Sequence, residues 1–201
     1  MTAFRKLYKN DDISLIANGI YFNERTVFDT IFNDKQEAVE VIKKLITSEY
    51  VNEYHGFFIT VIYDESPEQI EGFVITYKKD QIPRNSAINA YADSNEISLP
   101  MILLNSIMGR FRYKLTKDDY IIKNLYVLED YRNKGHATKL IKKSIQKARQ
   151  YNARKVILDV EEGNSYLMDL FIKLGFEENN ERMGPLMEKL RGYNRLKFEL
   201  N

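Results

Sequence analysis

The chain has 201 residues, 44% of them hydrophobic, enough for one compact domain with a substantial core, and its formal net charge is +1. The absence of cysteine excludes disulfides, thiolate metal ligands and a cysteine nucleophile, and the near-neutral balance gives no global field for nucleic acid or an anionic membrane surface. The first residues lack the apolar run of a signal peptide and no window approaches roughly 20 apolar residues, so the expectation is a soluble cytoplasmic protein without nucleic-acid or membrane partners.

Residues 4–9 read as a short strand. Asp11 and Asp12 stand where capping residues precede a helix, and residues 13–32 read as helical with a break at 19–23. Tyr21, Phe22, Phe28 and Phe32 read first as core and second as the wall of an acceptor pocket. From Asp34 a clearer helix runs to Glu49, with Ala38, Val39, Val41, Ile42, Leu45 and Ile46 as its apolar stripe and Lys35, Glu37, Glu40, Lys43 and Lys44 facing water. Residues 57–63 and 70–77 are rich in β-branched and aromatic side chains and flank the turn sequence Asp64-Glu65-Ser66-Pro67, which predicts an antiparallel hairpin. Residues 78–96, punctuated by Pro83, Asn85, Ser86, Asn89 and Asn95, show no sustained period and read as mostly loop, either functional or surface decoration.

Ser98 and Pro100 mark the start of a helix to Tyr113, apolar nearly all round and too short for a membrane, so burial against the sheet is expected, with a dimer contact as the second reading. Residues 120–127 read as a strand, 132–137 as a tight turn, and the following residues to 150 as a helix with Leu140, Ile141 and Ile145 inward and Lys139, Lys142, Lys143 and Lys147 outward. Residues 155–160 form a strand. Asn164 begins a helix carrying Leu167, Leu170, Phe171 and Leu174 and closed by Gly175; Phe176 opens another strand, 183–191 reads as short helix or loop, and 195–200 alternates like a last strand. No repeat or composition break marks a second domain, so residues 1–201 are expected to form one. Hairpin strands followed by strands joined through helices predict a mixed α/β sheet with its parallel pair around the turn at 132–137.

That turn carries the chemistry. Backbone N–H groups at a helix start lack intrahelical partners and the helix dipole adds partial positive charge, so phosphate is the natural ligand. Gly135 and Ala137 let a pyrophosphate approach the backbone, and Arg132 and Lys134 add charge beside it. His55 and His136 cannot build a multi-histidine metal site and no acidic cluster has calcium-loop spacing, so no metal is expected. Arg132-x-x-Gly135-x-Ala137 is a weak pattern alone. Set between Leu125-Tyr126-Val127 and Asp130-Tyr131 on one side and Leu158-Asp159-Val160, Asn164 and Leu170-Phe171-Ile172-Lys173-Leu174-Gly175-Phe176 on the other, it strongly resembles the GNAT superfamily of acyl-CoA-dependent N-acyltransferases, over roughly the last half of the chain.

The resemblance implies the GNAT fold, a mixed and mostly antiparallel central sheet with a splayed parallel strand pair and flanking helices, in which acetyl-CoA slots between the splayed strands. Main-chain groups of Leu125, Tyr126 and Val127 would then pair with the pantetheine arm, with the Val127 N–H as oxyanion donor. Arg132 and the backbone at Asn133, Lys134, Gly135, His136, Ala137 and Thr138 would hold the pyrophosphate, and Asn164 and Phe171 would meet the cofactor from the next helix. Asn164 also reads as a plain helix cap.

Three positions depart from the family pattern. Many members carry a tyrosine that protonates the leaving thiolate where this chain has Phe171, and a carboxylate base where it has Lys123; the next position, often acidic too, is Asn124. Tyr126, Glu129, His55 and Glu162 are conceivable substitutes, but each reads more simply as packing or solvated loop, so no acid or base is assigned. The expected activity is transfer of an acetyl group from acetyl-CoA to a primary amine by direct attack, the acceptor being a polyamine, amino sugar, amino acid or protein amine. The alternative is an acyl-CoA-binding domain with weak or no catalysis, acting as sensor or interaction module. A nucleic-acid binder using the lysine-rich helix is disfavoured by the near-zero net charge. Monomer and homodimer both remain open.

Overall fold

The strand pattern of the sequence resolves into one sheet. A computed structural model describes residues 2–94, 115–179 and 193–200; the helix expected at 98–113 and the segment 183–191 lie outside these. Among the described residues the strands are β1 (Ala3–Lys6), β2 (Ile59–Tyr63), β3 (Gly72–Lys78), β4 (Asp119–Val127), β5 (Lys155–Glu161), β6 (Glu177–Glu178) and β7 (Tyr193–Glu199), in the sheet order β1-β2-β3-β4-β5-β7-β6. Every neighbouring pair is antiparallel except β4 and β5. Among the same residues the helices are α1 (Ile13–Asn23), α2 (Arg25–Phe28), α3 (Lys35–Thr47), α4 (Arg84–Asp93), α5 (His136–Gln150) and α6 (Ser165–Lys173).

Side chains of a strand alternate between faces, and the core divides accordingly. Val61, Phe73, Ile75 and Ile121 pack with Ile16, Ile20, Ile42 and Leu45 of α1 and α3 on one face. Ile62, Val74, Tyr120 and Ile122 pack with Leu140, Ile141 and Ile145 of α5 and with Phe171 of α6 on the other. The capping residues act as their sequence positions require: Asp12, Asp34 and Asn164 accept hydrogen bonds from the N–H groups of Leu15, Glu37 and Leu167 at 3.1, 2.9 and 3.1 Å.

Two expectations are corrected. Helix α1 runs through Gly19 and ends at Asn23, with the break at Glu24. Gly19 is a contact glycine, since a Cβ there would stand 2.7 Å from the Phe73 ring and 2.9 Å from that of Tyr126. Within 78–96, the described residues 78–94 are not mostly loop: a 3-10 turn (Lys79–Gln81) leads into α4. No side-chain cap announces that helix. It is held from outside, by burial of Ala90 and by a 2.8 Å hydrogen bond from the Tyr91 hydroxyl to Glu53.

The parallel pair is short. β4 and β5 pair from Asp119 and Lys155 to Ile122 and Leu158, where the ladder stops. At that point the β3–β4 register slips: Thr76 opposes Ile122, Ile75 opposes Asn124, and Lys123 is an extra residue without a counterpart. Such a bulge bends its strand. β5 stays with β7 over its whole length, so beyond Ile122 the two parallel strands part and leave a gap in mid-sheet.

Candidate active site

The main chain of β4 decides what the gap offers. Leu128 N–H donates to Glu71 O at 3.0 Å, the bond that flanks Gly72 and Val127 as a non-hydrogen-bonded pair and so fixes the alternation along the ladder. Tyr126 therefore engages Phe73 of β3, whereas Leu125 and Val127 turn their N–H and C=O groups into the gap. Side chains reach the two carbonyls from that side: Asn23 Nδ2 lies 2.8 Å from Leu125 O and Arg132 Nε 3.2 Å from Val127 O. Of the three residues expected to pair with a cofactor arm, Leu125 and Val127 thus present main-chain groups to the gap. Tyr126 instead directs its ring to Phe73, 5.8 Å away, and to the exposed Phe22, 5.9 Å away.

Past Val127 a 3-10 turn (Glu129–Tyr131) leads to the turn that starts α5. Asn133 and Gly135 adopt left-handed φ of 63° and 78°. Gly135 is the helix N-cap, and the first helical bond is Lys139 N–H to Gly135 O at 3.0 Å, so the amides of His136, Ala137 and Thr138 have no partner inside the helix. These point from the positive end of a 15-residue helix dipole. Arg132, Asn133, Lys134 and Gly135 are exposed, and a Cβ on Gly135 would meet no protein atom within 4 Å. The positive φ, not crowding by the protein, is what calls for glycine there.

The remaining predicted residues separate. His136 turns its imidazole into the protein, fully buried, and can serve an anion only through its main chain. Phe171 is buried edge-on against Phe176, with ring centroids 5.3 Å apart, as part of the core. Asn164 caps α6 and borders a hollow of about 480 Å³ at the end of β5, lined also by Glu161, Glu162 and Tyr166. A roomier hollow of about 630 Å³ between α1 and α3, lined by Ser14, Asn18 and Lys35 among others, contains none of the predicted residues.

The bulge also builds a polar cluster that spacing in the sequence did not reveal. By inserting one residue it puts Lys123 and Asn124 on the same face of β4, and both reach the buried carboxylate of Glu24. Glu24 Oε2 is 2.9 Å from Lys123 Nζ and accepts the Tyr54 hydroxyl at 2.7 Å, while Oε1 accepts Asn124 Nδ2 at 2.9 Å. Asn23 Nδ2 donates to Asn124 Oδ1 at 2.6 Å. Tyr54 is held well above its ordinary pKa, first by burial and then by the Glu24 charge, so it stays a donor. The carboxylate absent from positions 123 and 124 of the strand thus enters from the α1–α2 junction. Of the substitutes weighed in the sequence, His55 caps the turn at Gly56–Phe58 with Nε2 3.0 Å from Ser48 O, and Glu129 and Glu162 are exposed.

A parted parallel pair beside an open helix start is a family trait as well as a local one. Residues 26–176 match the acetyltransferase (GNAT) family. The chain belongs to that family. Its fold is the GNAT fold, shared over 98% of this chain and 100% of the other with an N-acetyltransferase from Staphylococcus aureus Mu50, at 19% identity and a TM-score of 0.66. A PaiA N-acetyltransferase from Thermoplasma acidophilum, in complex with coenzyme A, matches at 11% identity over 100% and 99% of the two chains with a TM-score of 0.54. A GNAT family acetyltransferase from Elizabethkingia anophelis, with acetyl-CoA bound, matches at 15% identity over 99% and 98% with the same score. No curated protein matches by sequence. Membership implies acyl-CoA-dependent N-acetylation. Glu24 lies two residues before the family match begins, one reason the sequence did not single it out.

Proposed function

We propose that the chain works as one domain that transfers an acetyl group from acetyl-CoA to a primary amine of a polyamine, amino sugar, amino acid or protein. The observation that carries this reading is the gap between β4 and β5, into which the amides of Leu125 and Val127 turn, next to the unpaired amides of His136, Ala137 and Thr138. The coenzyme A and acetyl-CoA in the two GNAT relatives support the choice of cosubstrate. The pyrophosphate would lie at the Arg132 to Thr138 turn, with Asn133, Lys134 and Gly135 around it and Asn164 across the gap.

In the reaction the amine nitrogen attacks the thioester carbon directly. The main-chain N–H of Val127 stabilises the oxyanion while Leu125 holds the pantetheine arm, and collapse breaks the C–S bond without a covalent enzyme intermediate. Phe171 has no proton to give, so coenzyme A departs as a thiolate, tolerable for a thiol of pKa about 8.5. Glu24, held by Lys123, takes the amine proton through water, since Asn124 and Val127 are three strand residues, about 10 Å, apart. The working protein is cytoplasmic, a monomer or homodimer, and uses neither nucleic acid nor membrane; no helix among the described residues is long and apolar enough to cross one.

Calorimetry with acetyl-CoA followed by free-thiol release across an amine panel tests the reading. Binding and amine-dependent release are expected. Tight binding without release would favour the alternative, a binding module, and failure to bind acetyl-CoA would sink both.

A further inference from the structure

One buried polar cluster has no part in that chemistry. Asp64 follows β2, Glu71 precedes β3 and His136 opens α5, and one ligand-type atom from each lies within 4.8 Å of the others. His136 Nε2 stands 2.6 Å from Glu71 Oε2 and 3.8 Å from Asp64 Oδ2. The His136 and Glu71 side chains are 0% and 5% exposed, and among the described residues neither His136 nitrogen nor Glu71 Oε2 has a partner in hydrogen-bond geometry. Their close approach is out of line for an N–H···O bond. A buried carboxylate oxygen and a buried imidazole nitrogen that face each other without a bond in line call for a cation shared by both, and a shift of a few tenths of an ångström, from 2.6 Å to the roughly 3 Å between two ligands of one ion, admits it.

The surroundings are arranged as a ligand set requires. Asp64 Oδ1 accepts from Thr2 Oγ1, itself bonded by Lys139 Nζ, and Asp64 Oδ2 lies 3.8 Å from His136 Nε2. Glu71 is pinned through its main chain, N–H to Ile62 O and C=O to Leu128 N–H, both at 3.0 Å. Outer bonds of this kind orient metal-binding carboxylates.

We propose that Asp64, Glu71 and His136 bind one divalent first-row transition ion, with Zn²⁺ the best match. One imidazole and two carboxylates suit zinc, whereas Ca²⁺ and Mg²⁺ prefer all-oxygen shells of about six or more ligands. Asp64, 35% exposed, provides the way in and room for water to complete the coordination. The ion ties the β2–β3 turn and the start of β3 to the first residue of α5. It clamps the anion-binding turn from behind and takes no part in acyl transfer.

The test is metal uptake by the full chain, which does not depend on acetyl-CoA binding. After chelator treatment and dialysis against Zn²⁺, elemental analysis is expected to find one zinc per chain, and Co²⁺ in its place should give visible ligand-field bands. Asp64→Asn and Glu71→Gln should each weaken zinc binding at least a hundredfold, more than the loss of an outer partner of a ligand costs. Circular dichroism of the metal-free variants checks folding; should Glu71→Gln fail to fold, the isosteric change at partly exposed Asp64 carries the test alone. Absence of zinc at micromolar concentration overturns the proposal, as does equal retention by Asp64→Asn, or a ¹⁵N spectrum in which the His136 ring nitrogens do not move at saturating Zn²⁺.

Discussion

The two ends of the gap are built on different principles. At one end, the turn from Arg132 to Thr138 is a single run of chain, whose open amides, left-handed glycine and cations arise from local geometry. At the other, the Glu24 cluster draws Asn23 and Glu24 from a helix junction, Tyr54 from the approach to β2, and Lys123 and Asn124 from a bulge about 100 residues further on. The first reads as a motif and the second does not. A binding site for a common cosubstrate can be local, while groups that handle an acceptor and its proton can be supplied by whichever elements meet there.

Gly135→Glu should break the turn and spare the cluster. Acetyl-CoA affinity is expected to fall at least a hundredfold, about 2.7 kcal/mol, since the carboxylate would repel the pyrophosphate. The fold should lose only about 1–2 kcal/mol, from the left-handed φ of 78°, as no protein atom crowds the position. Unchanged affinity in calorimetry would show that the phosphate binds elsewhere. Glu24→Gln is the converse change. With saturating amine, kcat should drop about a hundredfold while the acetyl-CoA Kd stays within a factor of two. Full activity would remove Glu24 from the proton path. Glu24→Gln combined with Lys123→Met controls for the lysine left unpaired in the single variant.

Helix α5 carries the turn, and a third variant separates the helix from it. Lys147, on the same helix, contacts Thr60 of β2 and is pushed down to about 8, first by burial and then by the charges of Lys6 and Lys143. Its folded pKa lies below its unfolded value of 10.5, so this group's burden on stability is full below pH 8 and lifts as pH rises from about 8 to 10.5. Thermal melts of Lys147→Met should lack that rise, on the order of 1 kcal/mol after allowance for solvent screening, with acetyl-CoA affinity unaltered. A rise that persists in the variant would assign it to another group. The smallest effect is expected from Asn164→Ala, which removes the α6 cap at about 1 kcal/mol. A simultaneous tenfold loss of acetyl-CoA affinity would mean that Asn164 also touches the cosubstrate; a purely thermal effect would leave it a cap.

What could be read in advance follows the same division. The α3 stripe, the caps Asp12, Asp34 and Asn164 and the strand–turn–helix around Gly135 are local patterns with local causes, and the structure contains them. Helix α4 could not be read because its residues have no strong apolar period and its anchors, Ala90 in the core and Tyr91 on Glu53, are tertiary. Gly19 misled for a related reason: the space that forbids a Cβ belongs to Phe73 and Tyr126, far along the chain. Lys123 stands where many family members have a carboxylate, and the carboxylate that it pairs with, Glu24, comes from a helix junction far away in sequence.

The extra residue at Lys123 has one more effect, on the sheet as a surface. A sheet ordinarily shows unpaired main-chain groups at its outer rims, and parting β4 from β5 creates a second rim in the middle of this one. Whatever fills it stands where a strand would, in a slot set by the roughly 4.8 Å spacing of paired strands, and gains by being flat and bearing amides of its own. Extended peptides meet that description too and should compete for the slot. Hydrogen exchange reports its occupancy residue by residue: the Leu125 and Val127 amides should exchange fast until it is filled and slowly afterwards, while that of Tyr126, already spent on β3, stays slow throughout.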